Sequence, residues 1–160
     1  MIVWRICKAA RAATAFDGEG ARRYPGRWNH RGVPIVYCAS SLALASLEYF
    51  VHLDSDDWPD DLVAIRAELP DDVRFVETVD PKTLPEDWRK IPAPVALQDL
   101  GSEWAHSSRT VALNVPSAII PNEVNVLLNP RHTGMARVVF HAPEPFAFDP
   151  RMRKLLHGTR

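Results

Sequence analysis

Fourteen prolines are spread from Pro25 to Pro150 of a 160-residue chain, and they limit its architecture more than any other feature. Each removes a backbone donor and fixes φ, so each interrupts the hydrogen-bond ladder of a helix or a sheet. Long helical bundles are excluded, and short elements joined by structured loops are expected. The length suits one domain with a real buried core. A hydrophobic share of 46% against a charged share of 24% is ordinary for a folded globular chain.

Patterning then places the elements. Residues 2–7 read as a strand, 9–26 as a small, polar loop with one helical turn, and 34–38 as a buried strand. Ser40 and Ser41 precede a Leu/Ala-rich run through Leu53, so a serine N-cap opens the best helix of the chain. That helix is apolar nearly all round and is expected to be largely buried. Residues 62–69 and 73–76 read as strands. Four prolines with Trp88 among them make 81–94 a loop or one short helix packed by its tryptophan. A helix at 97–108 follows, then two adjoining strands within 110–120 and 124–128, and further strands at 138–140 and 146–148. Neither a repeat nor a linker breaks the chain, so the expectation is a single α+β domain over 1–160. The basic residues from Arg151 onward are expected to be loosely held.

Charge and residue spacing exclude several functions. Nineteen Lys and Arg against twenty Asp and Glu leave a net charge of −1, so no overall field draws the protein to nucleic acid or an anionic membrane. Cys7 and Cys38 form no close metal or redox pair and suggest a reducing compartment. The six histidines lack any metal-ligand spacing, so no metal is expected. Glycine-rich phosphate loops are missing, which sets a Rossmann dehydrogenase aside. The opening run Met1 to Ile6 is too short for a signal peptide and no stretch is long enough to span a bilayer, making cytoplasm the expected location.

A few residues carry chemical promise, each beside a plainer reading. In Gly26-Arg27-Trp28-Asn29 the glycine permits close approach of a ligand, and the arginine can fork two hydrogen bonds onto a pyrophosphate. A surface arginine beside a core tryptophan is the plainer account. Tyr37 could stack on a flat cationic ring or be a core tyrosine with its hydroxyl satisfied. Glu48 is the most informative, because Leu44, Leu47 and Val51 share its helical stripe. Glutamate is seldom set there without a partner. It either pairs with a cation such as Arg27 or lines a pocket where its charge serves a reaction. Ser117, after Pro116, could bind a ribose or phosphate oxygen or merely form a turn. Glu123, Asn125 and Asn129 add polar groups nearby.

Taken in order, Gly26-Arg27-Trp28-Asn29, Val36-Tyr37, Ser40-Ser41, the segment 45–48, Val115-Pro116-Ser117 and the segment 123–130 resemble the RES domain family across about 4–149. The arginine, glutamate and serine that name that family fall on Arg27, Glu48 and Ser117, with its active-site tyrosine at Tyr37. The resemblance implies a fold similar to ADP-ribosyltransferase toxins, short strands with a few peripheral helices. It also implies an NAD+-degrading toxin held in check by an Xre-like helix-turn-helix antitoxin that blocks the active site. On that footing NAD+ is substrate rather than cofactor, and phosphate is a candidate co-substrate beside water. Arg27 would bind the pyrophosphate, Tyr37 stack on nicotinamide, Ser117 and Asn125 anchor the nucleotide, and Glu48 face the ribose. Transfer of ADP-ribose to a macromolecule is the first alternative, a non-catalytic binding module the second, and a ribonuclease toxin the weakest. A homodimer stays open.

Overall fold

Proline punctuation yields a chain of short elements. The computed structural model describes residues 1–53, 58–72 and 74–153. In chain order these are β1 (Ile2–Lys8), α1 (Glu19–Arg23), β2 (Val36–Ala39), α2 (Leu42–Phe50), β3 (Leu62–Glu68), β4 (Val76–Thr78), α3 (Val95–Ser107), β5 (Ala112–Pro116), β6 (Val124–Leu128), β7 (Val139–Phe140) and β8 (Glu144–Phe146). Short 3-10 turns occupy Ala9–Thr14, Pro81–Thr83, Thr133–Arg137 and Pro150–Met152.

The strands make one sheet in the order β4-β5-β6-β2-β1-β3-β7, with β8 also paired to β3. Among the described strands only the β4–β5 pair is parallel. Directly opposed residues in antiparallel strands share a face. Trp4 lies opposite Ala39, Ala39 opposite Asn125, and Asn125 opposite Val115, so these four look out from one side of the sheet. Tyr37, Leu127 and Leu113 form the neighbouring row on that same side. The other side carries Val3, Val36, Cys38, Val126 and Leu128 in a core with Phe75, Val111 and Val138.

Both longer helices cover the first side. α3 packs Leu97, Trp104 and Ala105 onto Leu113, Val115 and Leu127. α2 packs Leu44 and Ala45 onto Ile6, Ala39, Leu62 and Ala64. Ser41 caps α2, its hydroxyl accepting from the Leu44 N–H at 3.1 Å, as the serine pair predicts. Each fully buried Leu or Val contributes roughly 1.5–3 kcal/mol, so the two clusters together pin the helices, leaving a seam between them.

Several expectations need correction. α2 buries only Leu44 and Ala45, because it sits over one end of the sheet with a thin cover: Phe148 packs on Tyr49, Phe50, Trp58 and Phe146. Val51 is half exposed. Segment 9–26 holds two helical pieces instead of one. The last strand ends at Phe146, leaving Phe148 free to enter the core beneath α2. Of the run expected as a strand at 73–76, Val73 lies outside the described residues, Arg74 and Phe75 turn the chain, and the strand occupies Val76–Thr78 instead. Most of the basic tail also lies outside the described residues. Among the described residues no helix is long and apolar enough to cross a membrane.

The core also sets the chemistry of the two thiols. Burial raises the Cys7 thiol and pushes Cys38 up to about 12, with Arg5 opposing in both cases. The reactive thiolate is then scarce near neutral pH. A disulfide reagent at pH 8 should modify neither cysteine in native protein and both in denaturant; fast native labelling of Cys38 would contradict this packing.

Candidate active site

The seam between α2 and α3 collects the polar residues of the first face. Glu48 stands on the last turn of α2 and aims its carboxylate across the sheet towards β6 and the end of β5. The Ser117 hydroxyl donates to Glu48 Oε1 at 2.7 Å, and the Asn125 amide donates to the same oxygen. Glu48 Oε2 accepts no hydrogen bond among the described residues and is not a sealed, unsatisfied atom. The carboxylate is therefore fixed through one oxygen and open through the other. Charge-assisted hydrogen bonds of this kind are the strong ones.

Ser117 is wholly buried. Besides donating to Glu48, its oxygen accepts from the Ile119 and Ile120 N–H groups at 3.2 and 3.1 Å. Its hydroxyl, expected to hold a polar group of the nucleotide, is instead spent inside the protein on aiming Glu48 and closing the turn after Pro116. Asn125 likewise gives its amide to Glu48, while its Oδ1 is buried without a partner.

Arg27 comes from the loop between α1 and β2. Its Nη1 donates to the carbonyls of Trp88 and of Lys90, the latter at 3.1 Å, and Nη2 reaches the Arg89 carbonyl at 3.5 Å. No ion pair to Glu48 forms among the described residues. Burial lowers the Arg27 pKa, the Glu48 charge raises it, and the nearby Arg89 charge lowers it again. Arg27 and Glu48 thus share a field without touching. The Nη1–Nη2 end of the guanidinium holds residues 88–90, and its Nε edge takes no acceptor among the described residues.

Tyr37 sits between them on β2. Its hydroxyl donates to Asn29 Oδ1 at 2.7 Å and accepts from the Trp28 N–H at 3.0 Å, while its ring lies against the α3 cluster. Burial pushes the phenol well above its ordinary value, so it stays protonated as an orienting group. Gly26 allows this arrangement, since a Cβ there would come within 2.8 Å of the Tyr37 oxygen.

Some roles at the site escaped the sequence. Asn29, fully buried, is the hub of the Arg27 loop: its amide nitrogen donates to the carbonyls of Ala21, His30 and Val33, and its Oδ1 also accepts the Gly26 N–H. Gly101 of α3 lets the Trp28 carbonyl approach so closely that an added Cβ would sit 2.0 Å from it. An isolated glycine inside a helical pattern was the signal available. Gln98 donates to the Gly26 carbonyl, and Arg89 donates from Nε to the Ala118 carbonyl at 2.9 Å. Glu123 is exposed, and Asn129 is structural, bonded to Ala105 and Arg131.

Two surface hollows lie elsewhere. One of about 440 Å³ is lined by Asp72, Phe75, His132 and Arg137 among others; the second, about 360 Å³, lies against Glu77, Asp80, Trp104 and Arg109. Neither is lined by Glu48 or Arg27. Among the described residues no group of three or more His, Cys, Asp or Glu could hold a metal.

Comparison with known proteins places this geometry in context. The family model for the RES domain matches residues 2–149. A protein of Yersinia enterocolitica named Toxin Res is 38% identical over 154 residues, 96% of this chain and 100% of that protein. Prs ADP-ribosylating toxin of Sphingobium sp. is 43% identical over 152 residues, 93% of this chain and 94% of that one. Among solved structures, the toxin–antitoxin complex MbcT–MbcA of M. tuberculosis matches with a TM-score of 0.73 at 20% identity, covering 99% of this chain and 89% of that chain. The fold is similar to that of the matching chain in this complex, a mixed sheet with few, peripheral helices.

Proposed function

The chain belongs to the RES domain family, and from that premise we propose that it is the toxin of a toxin–antitoxin pair, an enzyme that destroys NAD+ by breaking the bond between nicotinamide and ribose. The observation that carries this reading is the Glu48 carboxylate, clamped through one oxygen by Ser117 and Asn125 and open through the other. The name of the Yersinia relative supports the toxin part of this reading.

NAD+ brings its own leaving group, because cationic nicotinamide departs neutral while positive charge builds on the ribose. A fixed carboxylate beside that carbon stabilises the oxocarbenium-like transition state, as carboxylates do in glycoside cleavage. Glu48 takes this role through Oε2 and can orient the acceptor. Ser117 and Asn125 act through Glu48, holding it against rotation so that no reorganisation is needed at the moment of cleavage. Tyr37 offers a ring face to nicotinamide. Arg27 offers its Nε edge to the pyrophosphate. NAD+ is substrate here, with water or phosphate as acceptor, and an antitoxin with an Xre-like helix-turn-helix would silence the enzyme by covering the seam.

Transfer of ADP-ribose to a macromolecule is the second reading, favoured by the name of the Sphingobium relative. It shares the first bond cleavage and differs only in acceptor. Mass spectrometry after incubation with NAD+, phosphate and cell extract separates them. Free ADP-ribose or its phosphate ester should account for the NAD+ consumed; ADP-ribosylated protein or nucleic acid in equal amount would replace degradation by transfer.

A further inference from the structure

The sequence makes 81–94 a loop or one short helix packed by Trp88, and its part 85–92 does more than that. It is a strap held at both ends of the site. Arg27 grips three successive carbonyls of the strap, those of Trp88, Arg89 and Lys90. Trp88 packs into the α3 cluster. On the far side, Arg89 Nε donates to the carbonyl of Ala118, the residue next to Ser117, and so bridges the strap to the turn that aims Glu48.

The charges here do not balance. Lys90 of the strap is neutralised by Asp87 at 3.3 Å. Arg89 has no carboxylate within ion-pair distance among the described residues, and its one hydrogen bond uses Nε. Its two terminal nitrogens take no acceptor among the described residues, and the residue is exposed. Arg27 has no ion pair among the described residues either, and the Arg89 charge disfavours its own. The strap thus holds Arg89 close enough to Arg27, whose Nη2 reaches the Arg89 carbonyl, for the two positive charges to disfavour each other, while the Glu48 charge acts in the opposite sense. Like charges brought together cost free energy unless an anion joins them, and an anion of two negative charges would reverse the imbalance.

The geometry points to Arg89 as a second binding residue for the pyrophosphate of the dinucleotide, its terminal nitrogens facing one phosphate while the Nε edge of Arg27 faces the other. Arg27 then has two tasks on two sides of one planar group: it positions the strap through its Nη1 end and meets the ligand through the opposite edge. The strap is what brings Arg89 to the site. This rests on the dinucleotide reading above, and it names a residue outside the arginine, tyrosine, glutamate and serine already assigned.

Arg89 is exposed, so Arg89→Ala should fold normally. Its KM for NAD+ should rise tenfold or more, with the loss carried in KM rather than kcat, and Arg89→Lys should recover part of it, since a point charge replaces the fork. Calorimetry with ADP-ribose, which keeps the pyrophosphate and lacks nicotinamide, should show the same order of variants. Wild-type KM and ADP-ribose affinity in Arg89→Ala would overturn the assignment, as would failure of wild-type protein to bind ADP-ribose. A variant that changed only the dependence on inorganic phosphate would place Arg89 at the acceptor and overturn it too. Arg89-dependent ADP-ribose binding by a protein that releases no nicotinamide would keep the site and remove the proposed reaction.

Discussion

Replacing Glu48 by glutamine should lower the rate of nicotinamide release by a hundredfold or more while leaving the protein folded. The amide is isosteric, and its oxygen can still accept from Ser117 and Asn125 in place of Oε1. What disappears is the negative charge facing the ribose. Preorganised charge in a partly dry site is worth about 2.7–4 kcal/mol, the free-energy equivalent of two to three powers of ten in rate. The comparison needs kcat together with a thermal melt. A folded Glu48→Gln protein with near wild-type turnover would show that the carboxylate is only a structural acceptor for Ser117 and Asn125.

The second large effect concerns a residue that makes no contact with substrate in this account. Gly101→Ala should destabilise the protein by at least about 2 kcal/mol net, even though alanine is intrinsically better in a helix by about 1 kcal/mol. The reason is steric: the new Cβ would lie 2.0 Å from the Trp28 carbonyl oxygen and 2.9 Å from its carbon. Both atoms are backbone, so no side-chain rotation relieves the clash. Either α3 moves off Leu113 and Leu127, or the Arg27 loop moves off Tyr37. In a domain of this size the melting temperature should fall by roughly 4–8 °C, and turnover below the melt should fall as well because Arg27 and Tyr37 share the displaced loop. A melting temperature equal to or above that of the parent would contradict the close contact.

Both predictions depend on features of very different legibility. Glu48 could be singled out from the sequence because a charge within a stripe of Leu44, Leu47 and Val51 breaks a helical pattern. The pattern alone left open whether it paired with Arg27 or served a pocket. Its donors turned out to be Ser117 and Asn125, which lie 69 and 77 residues away in the chain; only sheet register decides such a meeting. The β2–β6–β5 ladder brings Ala39, Asn125 and Val115 into one row, and no local propensity encodes that row.

The strands were legible wherever alternation was clean, as in β1 and β3, and the α2 cap was legible from its serines. The depth of burial of α2 was not, because it depends on how much chain remains to cover the outer side of the helix. There the cover is little more than Phe148 and its aromatic neighbours. The Arg27 loop shows the same limit. Asn29 stands in the Gly26-Arg27-Trp28-Asn29 motif with no role of its own legible there, yet five hydrogen bonds converge on it, four of them from or to the backbone. The strap was visible as a run of prolines, whereas its attachment to Arg27 arises from tertiary structure alone.

The whole account turns on whether this seam cleaves NAD+ between its base and its sugar. Purified protein should be incubated with NAD+ labelled in the nicotinamide ring, and free labelled nicotinamide counted against time. The account predicts nicotinamide released mole for mole with NAD+ lost, at a rate proportional to enzyme. No release above the protein-free control, at any enzyme concentration, would contradict it.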